Sequence, residues 1–156
     1  MTYPWYIQLL LSLIPSFVVA VITAHMTVKL SLRRFYTERW WEKKADVYSR
    51  IVDALHKHKK YAQNKLNNEF VENPDTSKDK RLEQQWLEGK KELEHAVDLG
   101  AFIISEESEM ILQKFLERKL PDFREVPFYE IIETDIKHVQ ECLTEIKSAA
   151  KRDLRL

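Results

Sequence analysis

Glycine, proline and cysteine are all scarce in this sequence. The two glycines are Gly89 and Gly100, and most of the five prolines lie near a terminus or a break in the apolar pattern. Hairpins and tight turns depend on glycine and proline, so their scarcity excludes a sheet-rich fold and predicts an all-α protein. The single Cys142 makes no disulfide within the chain, which is consistent with a reducing compartment.

Charged side chains are absent from the first 28 residues, although they make up 32% of the chain. Between Ile7 and Val28, 15 of 22 residues are apolar. A helix of that length spans about 33 Å and matches a hydrocarbon core of roughly 30 Å. A signal peptide carries its positive charge before the apolar run, whereas here the charge follows it. We therefore expect a transmembrane anchor with its basic flank over residues 1–34 and a helical domain over residues 35–156.

A basic cluster follows the predicted anchor. It consists of Lys29, Arg33, Arg34, Arg39, Lys43 and Lys44. The positive-inside rule then places the N-terminus outside and the rest of the chain in the cytoplasm, with these cations at anionic headgroups. Residues 29–66 carry 11 Lys/Arg and 4 Asp/Glu, a net charge of +7, and residues 67–156 carry 14 and 21, a net charge of −7. The basic half suits a lipid bilayer, the acidic half of a neighbouring copy, or RNA.

Small and polar residues recur along one face of the predicted anchor. They are Gln8, Ser12, Ser16, Ala20, Thr23 and Thr27, spaced by three or four positions. Such a stripe lets transmembrane helices approach and hydrogen-bond across the contact. It predicts self-association or a membrane partner, and in a larger ring the same stripe would line a pore. The alternative is that the hydroxyls bond the carbonyls of their own helix.

Apolar residues beyond the anchor recur every three or four positions in three long segments and one short one. The first long segment continues directly from the anchor. The second begins near Ser77 and passes through Gly100, the short one begins after Ser105, and the last has Pro127 in its first turn. This pattern predicts an up-down bundle of three long helices and one short helix.

Arg50 and His56 have the R-x(4–6)-H spacing of HEPN-class nucleases. In such a pair the histidine acts as general acid or base and the arginine stabilises phosphate charge during RNA cleavage. A weak ribonuclease activity is therefore one hypothesis, and it requires two copies because each chain supplies one motif. The alternative is a solvated basic face.

Two carboxylate-x-x-His pairs, Glu92 with His95 and Asp135 with His138, have the spacing used by di-iron helical bundles. Both histidines flank the apolar stripe, and the second pair has Asp in place of Glu. We therefore expect no metal and no cofactor. His56 and His58 point to opposite sides of a helix and cannot share a metal, so both are assigned to the basic run with Lys57, Lys59 and Lys60. Because no catalytic interpretation outweighs its structural alternative, we expect a protein that is not an enzyme.

The layout resembles the small membrane-anchored accessory proteins of RNA-targeting type VI-B CRISPR systems. The resemblance rests on the anchor, the run from Phe35 to His56, and the Arg50/His56 pair. It implies a cytoplasmic HEPN-like bundle and a homo-oligomeric pore that compromises the bacterial inner membrane during phage infection. We accordingly expect a self-associating effector of antiviral defence or stress, with a membrane-tethered scaffold for a soluble protein partner as the main alternative.

Overall fold

The computed structural model describes the backbone of residues 5–122, 124 and 126–155, and the side chains of these residues except 5–16, 33, 34 and 101. Over this part of the chain the regular structure is entirely helical. The helices are α1 (Trp5–Glu69), α2 (Thr76–Asp98), α3 (Gly100–Ile103), α4 (Glu106–Leu116) and α5 (Phe128–Asp153). The prediction of an all-α protein is confirmed.

The chain divides into two compact units, Met1–Trp41 and Glu42–Leu156. In the first unit, the apolar side chains of α1 between residues 17 and 28 are exposed. Phe17, Val18, Val19, Val21, Ile22, Met26 and Val28 have exposed fractions between 48% and 71%. Among the side chains that are described, no helix combines the length and apolar character needed to cross a membrane. The side chains of residues 5–16, which belong to the predicted anchor, lie outside the described part.

The second unit is built around an apolar core supplied by four helices. Its most deeply buried members are Ile51, Leu55, Leu93, Leu112, Val139 and Ile146, each at most 1% exposed. The helices α1 and α2 approach closely where Gly89 faces Ala54, because a Cβ atom on this glycine would lie 3.3 Å from the Ala54 Cα and carbonyl oxygen. Glycine is therefore the residue that permits this approach.

The start of α2 differs from the prediction by two residues. Asp75 caps this helix, and its side chain accepts hydrogen bonds from the backbone N–H groups of Ser77 at 3.0 Å and Lys78 at 3.1 Å. An ionised carboxylate is a strong cap and also suits the positive end of the helix dipole. The Ser77 hydroxyl also donates to this carboxylate at 2.7 Å, and this hydrogen bond first, with the two backbone hydrogen bonds, lowers the pKa of Asp75.

The prediction that Gly100 lies inside a continuous helix is wrong. Helix α2 ends at Asp98, and Gly100 opens the short α3. The predicted cap of α4 is confirmed, since the Ser105 hydroxyl accepts from the Ser108 N–H at 3.3 Å. Pro127 immediately precedes α5, whereas the sequence predicted it in the first turn of this helix.

Candidate functional site

A buried ionic cluster joins α1, α5 and the residues that follow α4. The His58 Nε2 atom lies 2.5 Å from the Asp135 Oδ2 atom. Arg118 donates to the other carboxylate oxygen through Nε at 3.0 Å and Nη2 at 2.5 Å, and to the Phe115 carbonyl through Nη1 at 2.6 Å. The side chains of His58, Asp135 and Arg118 are only 4%, 13% and 15% exposed. A carboxylate bound by a guanidinium and an imidazole therefore lies inside the bundle.

The charge of Asp135 is maintained by its two neighbours. Burial alone would raise the pKa of this carboxyl, but hydrogen bonding and charge from His58 and Arg118 outweigh it, and the net pKa is lowered. Two opposite charges within hydrogen-bond distance favour the ionised form more strongly than this degree of desolvation disfavours it. The pair of Arg118 and Asp135 is accordingly ionic at neutral pH.

The prediction that His58 belongs to an exposed basic run is wrong. This residue is 3% exposed, its ring centroid lies 3.7 Å from that of Trp86, and its Nδ1 atom is buried with no hydrogen-bond partner. The sequence contained a signal for this placement, because His58 continues the spacing of four, three and four set by Ile51, Leu55 and Ala62. Because histidine is polar, this core position was interpreted as a surface position.

A second polar cluster is centred on Tyr48, which is 3% exposed. Its hydroxyl donates to Asp153 Oδ2 at 2.8 Å and lies 2.8 Å from the Ser108 hydroxyl. Lys44 forms an ion pair with Asp153 Oδ1 at 2.7 Å. This cluster connects α1 with the start of α4 and the end of α5. The polar atoms of this cluster form hydrogen bonds with one another, which is the arrangement of a structural network.

A groove runs between α4 and α5. One part of it, a cavity of about 290 Å³, is lined by Arg118, Cys142 and His138, whose Nδ1 atom is buried without a hydrogen-bond partner. Burial first, and the neighbouring Glu145 second, raise the pKa of the Cys142 thiol to about 12. A thiol held in its neutral form is a poor nucleophile and a poor metal ligand, so Cys142 acts here as a small apolar residue.

Arg50 and His56 are both exposed. Arg50 pairs with Asp46 at 3.0 Å and faces Glu92 at 3.8 Å. Six residues on an α-helix separate Arg50 and His56 by about 120° around the axis, so the two side chains leave different faces. Their catalytic pairing stays a prediction.

The carboxylates of the two carboxylate-x-x-His pairs contact basic side chains or a histidine of another helix. Glu92 faces Arg50, and Asp135 binds His58 and Arg118. Within the described part of the chain, no three His, Cys, Asp or Glu side chains are grouped so as to hold a metal ion.

The predicted stripe and basic cluster are described only in part. The side chains of Gln8, Ser12, Ser16, Arg33 and Arg34 lie outside the described residues. Farther along the stripe, Ala20 is exposed and the Thr27 hydroxyl donates to the Thr23 carbonyl at 2.8 Å. In the basic cluster, Lys29, Arg39 and Lys43 are exposed, whereas Lys44 is held by Asp153.

No protein-family model, curated protein or solved structure matches this chain. Any function for it therefore follows from its own residues and their geometry.

Proposed function

We propose that the chain is a single-pass membrane protein whose cytoplasmic helical bundle self-associates and acts without catalysis. Its oligomer perturbs or permeabilises the bacterial inner membrane in antiviral defence or stress. One observation carries the membrane assignment, namely that the first unit exposes large apolar side chains over more than half of the circumference of α1.

The distribution of these side chains around α1 argues for lipid as their surroundings. Successive residues of a helix differ by about 100°, so Phe17, Val18, Val19, Val21 and Ile22 occupy an arc of about 200° around α1. Each of them is at least 48% exposed. The rest of the circumference holds Ala20, Thr23 and Thr27. A helix that packs on a protein surface needs an apolar stripe of roughly 100°, so an exposed apolar arc twice as wide argues for lipid. The sequence continues this character toward the N-terminus, from Ile7 to Ile14.

The bundle supports a non-catalytic role through the way its buried polar groups are used. The Asp135 carboxylate is bound by His58 and Arg118, and the Tyr48 hydroxyl is bound by Asp153 and Ser108. A catalytic acid or base needs a face open to a substrate, and these groups face each other. Self-association is supported by the opposite net charges of the two halves of the sequence.

Membrane insertion is tested with the double variant Val18→Lys/Ile22→Lys. Each lysine near the centre of a membrane span costs about 2.5–3.5 kcal/mol, so we expect this variant to leave the membrane pellet after carbonate extraction while the wild type stays in it. The control is Val71→Lys/Leu87→Lys, since these two residues of the bundle are each 51% exposed and lie outside the apolar stretch. A wild-type chain that is extracted by carbonate would overturn the proposal.

Permeabilisation is tested by measuring potassium release from cells that express the chain. The variant Gln8→Leu/Ser12→Leu/Ser16→Leu keeps the span apolar and removes part of the polar stripe. We expect it to remain in the membrane and to lose the leakage. A wild-type chain that is inserted but causes no leakage would favour the tethered scaffold. Arg50→Ala/His56→Ala should leave leakage unchanged, and its loss would favour the ribonuclease hypothesis.

A further inference from the structure

The groove between α4 and α5 has an apolar wall and an acidic rim near the start of α4. This part is a cavity of about 530 Å³, lined by Met110, Ile111 and Lys114 together with Glu106, Glu107 and Glu145. The three glutamates and one lysine give its lining a net charge of −2. Met110 is 62% exposed, so its apolar side chain is accessible to a partner. The groove therefore fits a partner that is basic and carries apolar side chains.

A segment with the complementary character lies within the same sequence. Residues 29–43 contain five Lys/Arg and two Asp/Glu, a net charge of +3. On α1, Tyr36, Trp40 and Lys43 are spaced by four and three residues, so they share one face, and Arg39 flanks it. Tyr36 and Trp40 are 67% and 50% exposed, and Arg39 and Lys43 are also exposed. This face presents aromatic side chains between cations.

We infer that the α4/α5 groove of one copy binds the aromatic–basic face of α1 from a second copy. Tyr36 and Trp40 contact Met110 and Ile111, and Arg39 and Lys43 face the groove carboxylates. This inference rests on the self-association in the proposed function and names the surfaces that perform it.

The donor is a second copy, because the net charge of +3 on residues 29–43 and the net charge of −2 on the groove lining attract two copies to each other. The joined surfaces are different, so the contact is head-to-tail, and its repetition builds a ring or a filament rather than a closed dimer.

The ion pair of Arg152 with Glu107 at the rim does not block this contact. Both side chains are more than half exposed, at 60% and 56%. Exposed pairs of this kind contribute little to stability, so a cation from a second copy readily takes the place of Arg152.

Photo-crosslinking locates the contact directly. A full-length copy in which Tyr36 is replaced by p-benzoylphenylalanine keeps an aromatic ring at this position and is co-expressed with a second copy bearing a different tag. After irradiation and digestion, we expect crosslinks to residues 106–116 of the second copy. Crosslinks that map to α2, or the absence of crosslinks between the two tags, would overturn the inference.

Charge reversal tests the complementarity. The first variant, Arg39→Glu/Lys43→Glu, has an acidic segment, and the second, Glu106→Lys/Glu145→Lys, has a basic groove. With Tyr36 replaced as before, the crosslink yield of each variant expressed alone should fall at least about tenfold, because reversing two charges turns contacts between opposite charges into contacts between like charges. Co-expression should restore the crosslink, since each altered surface then meets its complement. An unchanged crosslink in either variant alone, or no recovery in the mixture, would overturn the inference.

The matched control is Glu83→Lys/Glu88→Lys, which makes the same change of charge at exposed positions of α2, and its crosslink should equal that of the wild type. If circular dichroism shows that the groove variant is unfolded, Met110→Lys replaces it. That substitution adds a cation at an exposed helical position, so we expect a folded protein and a lost crosslink. A crosslink that persists in folded Met110→Lys would overturn the inference.

Carbonate extraction of the same samples separates this inference from the proposed function. A wild-type chain that leaves the membrane but forms the charge-dependent crosslink would overturn the membrane assignment alone. A chain that stays in the membrane and whose crosslink is unchanged by the charge reversals would overturn the groove contact alone.

Discussion

Replacing Asp135 with asparagine removes the anion from the buried ionic cluster while keeping the size of the side chain. Arg118 and the His58 ring then remain in the core without their carboxylate. Removing one partner of a buried ion pair costs about 3–5 kcal/mol, because the remaining charge stays desolvated. For a unit of 115 residues (42–156), this corresponds to a fall in Tm of roughly 12–20 °C.

The assay is denaturant unfolding followed by circular dichroism, with Glu133→Gln as the control. Glu133 lies on the same helix and is exposed, so its substitution should change the free energy of unfolding by no more than about 0.5 kcal/mol. A loss below about 1 kcal/mol in Asp135→Asn would refute the reasoning, since the cluster would then contribute little to the fold.

The same variant gives a test of pH dependence. Because the pKa of Asp135 in the folded protein is below its ordinary value of 3.8, the stability that its ionised form contributes is fully present above that value. This contribution is lost as the pH falls through the lowered pKa. The difference between wild type and Asp135→Asn should therefore be constant near neutral pH and shrink below about pH 4. A difference that grows on acidification would contradict the assignment.

Three smaller predictions concern other parts of the bundle. Tyr48→Phe leaves Asp153 and Ser108 without the hydroxyl and should cost about 1–3 kcal/mol, whereas Tyr129→Phe, at a residue 38% exposed, should be nearly neutral in the same unfolding assay. Ser105→Ala removes the cap of α4 and should cost about 0.5–2 kcal/mol, and Ser105→Asp should recover most of that loss. Cys142 should react with a thiol reagent at pH 8 at least about a hundredfold more slowly in the folded protein than in denaturant, because burial raises the pKa of its thiol to about 12, and equal rates would show that the site is open.

The periodicity of the sequence was a reliable guide where a helix is long and uninterrupted. In α5 the apolar residues Ile132, Val139, Leu143 and Ile146 share the predicted helical spacing and are all buried, whereas Phe128, at the start of the same spacing, is 49% exposed. The short α4 is rich in apolar residues on more than one face: Met110 is exposed, whereas Leu112 is fully buried. Eleven residues contain too few turns for periodicity to distinguish neighbouring faces.

The ionic cluster could not be predicted from the sequence, for a different reason. Its members are 60 and 17 residues apart, from His58 to Arg118 and from Arg118 to Asp135. A local sequence pattern relates only residues of the same helix. The spacing of Asp135 and His138 was therefore considered only as a pattern for metal binding. The carboxylate instead faces a histidine of α1, and this pairing depends on how the helices dock.

Polar contacts attach helix α1 to the rest of the bundle at three positions along its length. Tyr48 is bonded to the end of α5, His58 to its first half, and Lys65 to Asp79 at the start of α2. A slide of α1 by one turn, about 5.4 Å, would break all three attachments together. A mechanical load along α1 is therefore shared by polar bonds in shear. In single-molecule pulling at residues 42 and 128, which lie at opposite ends of the antiparallel pair of α1 and α5, we expect Asp135→Asn to lower the rupture force, while Glu133→Gln leaves it unchanged.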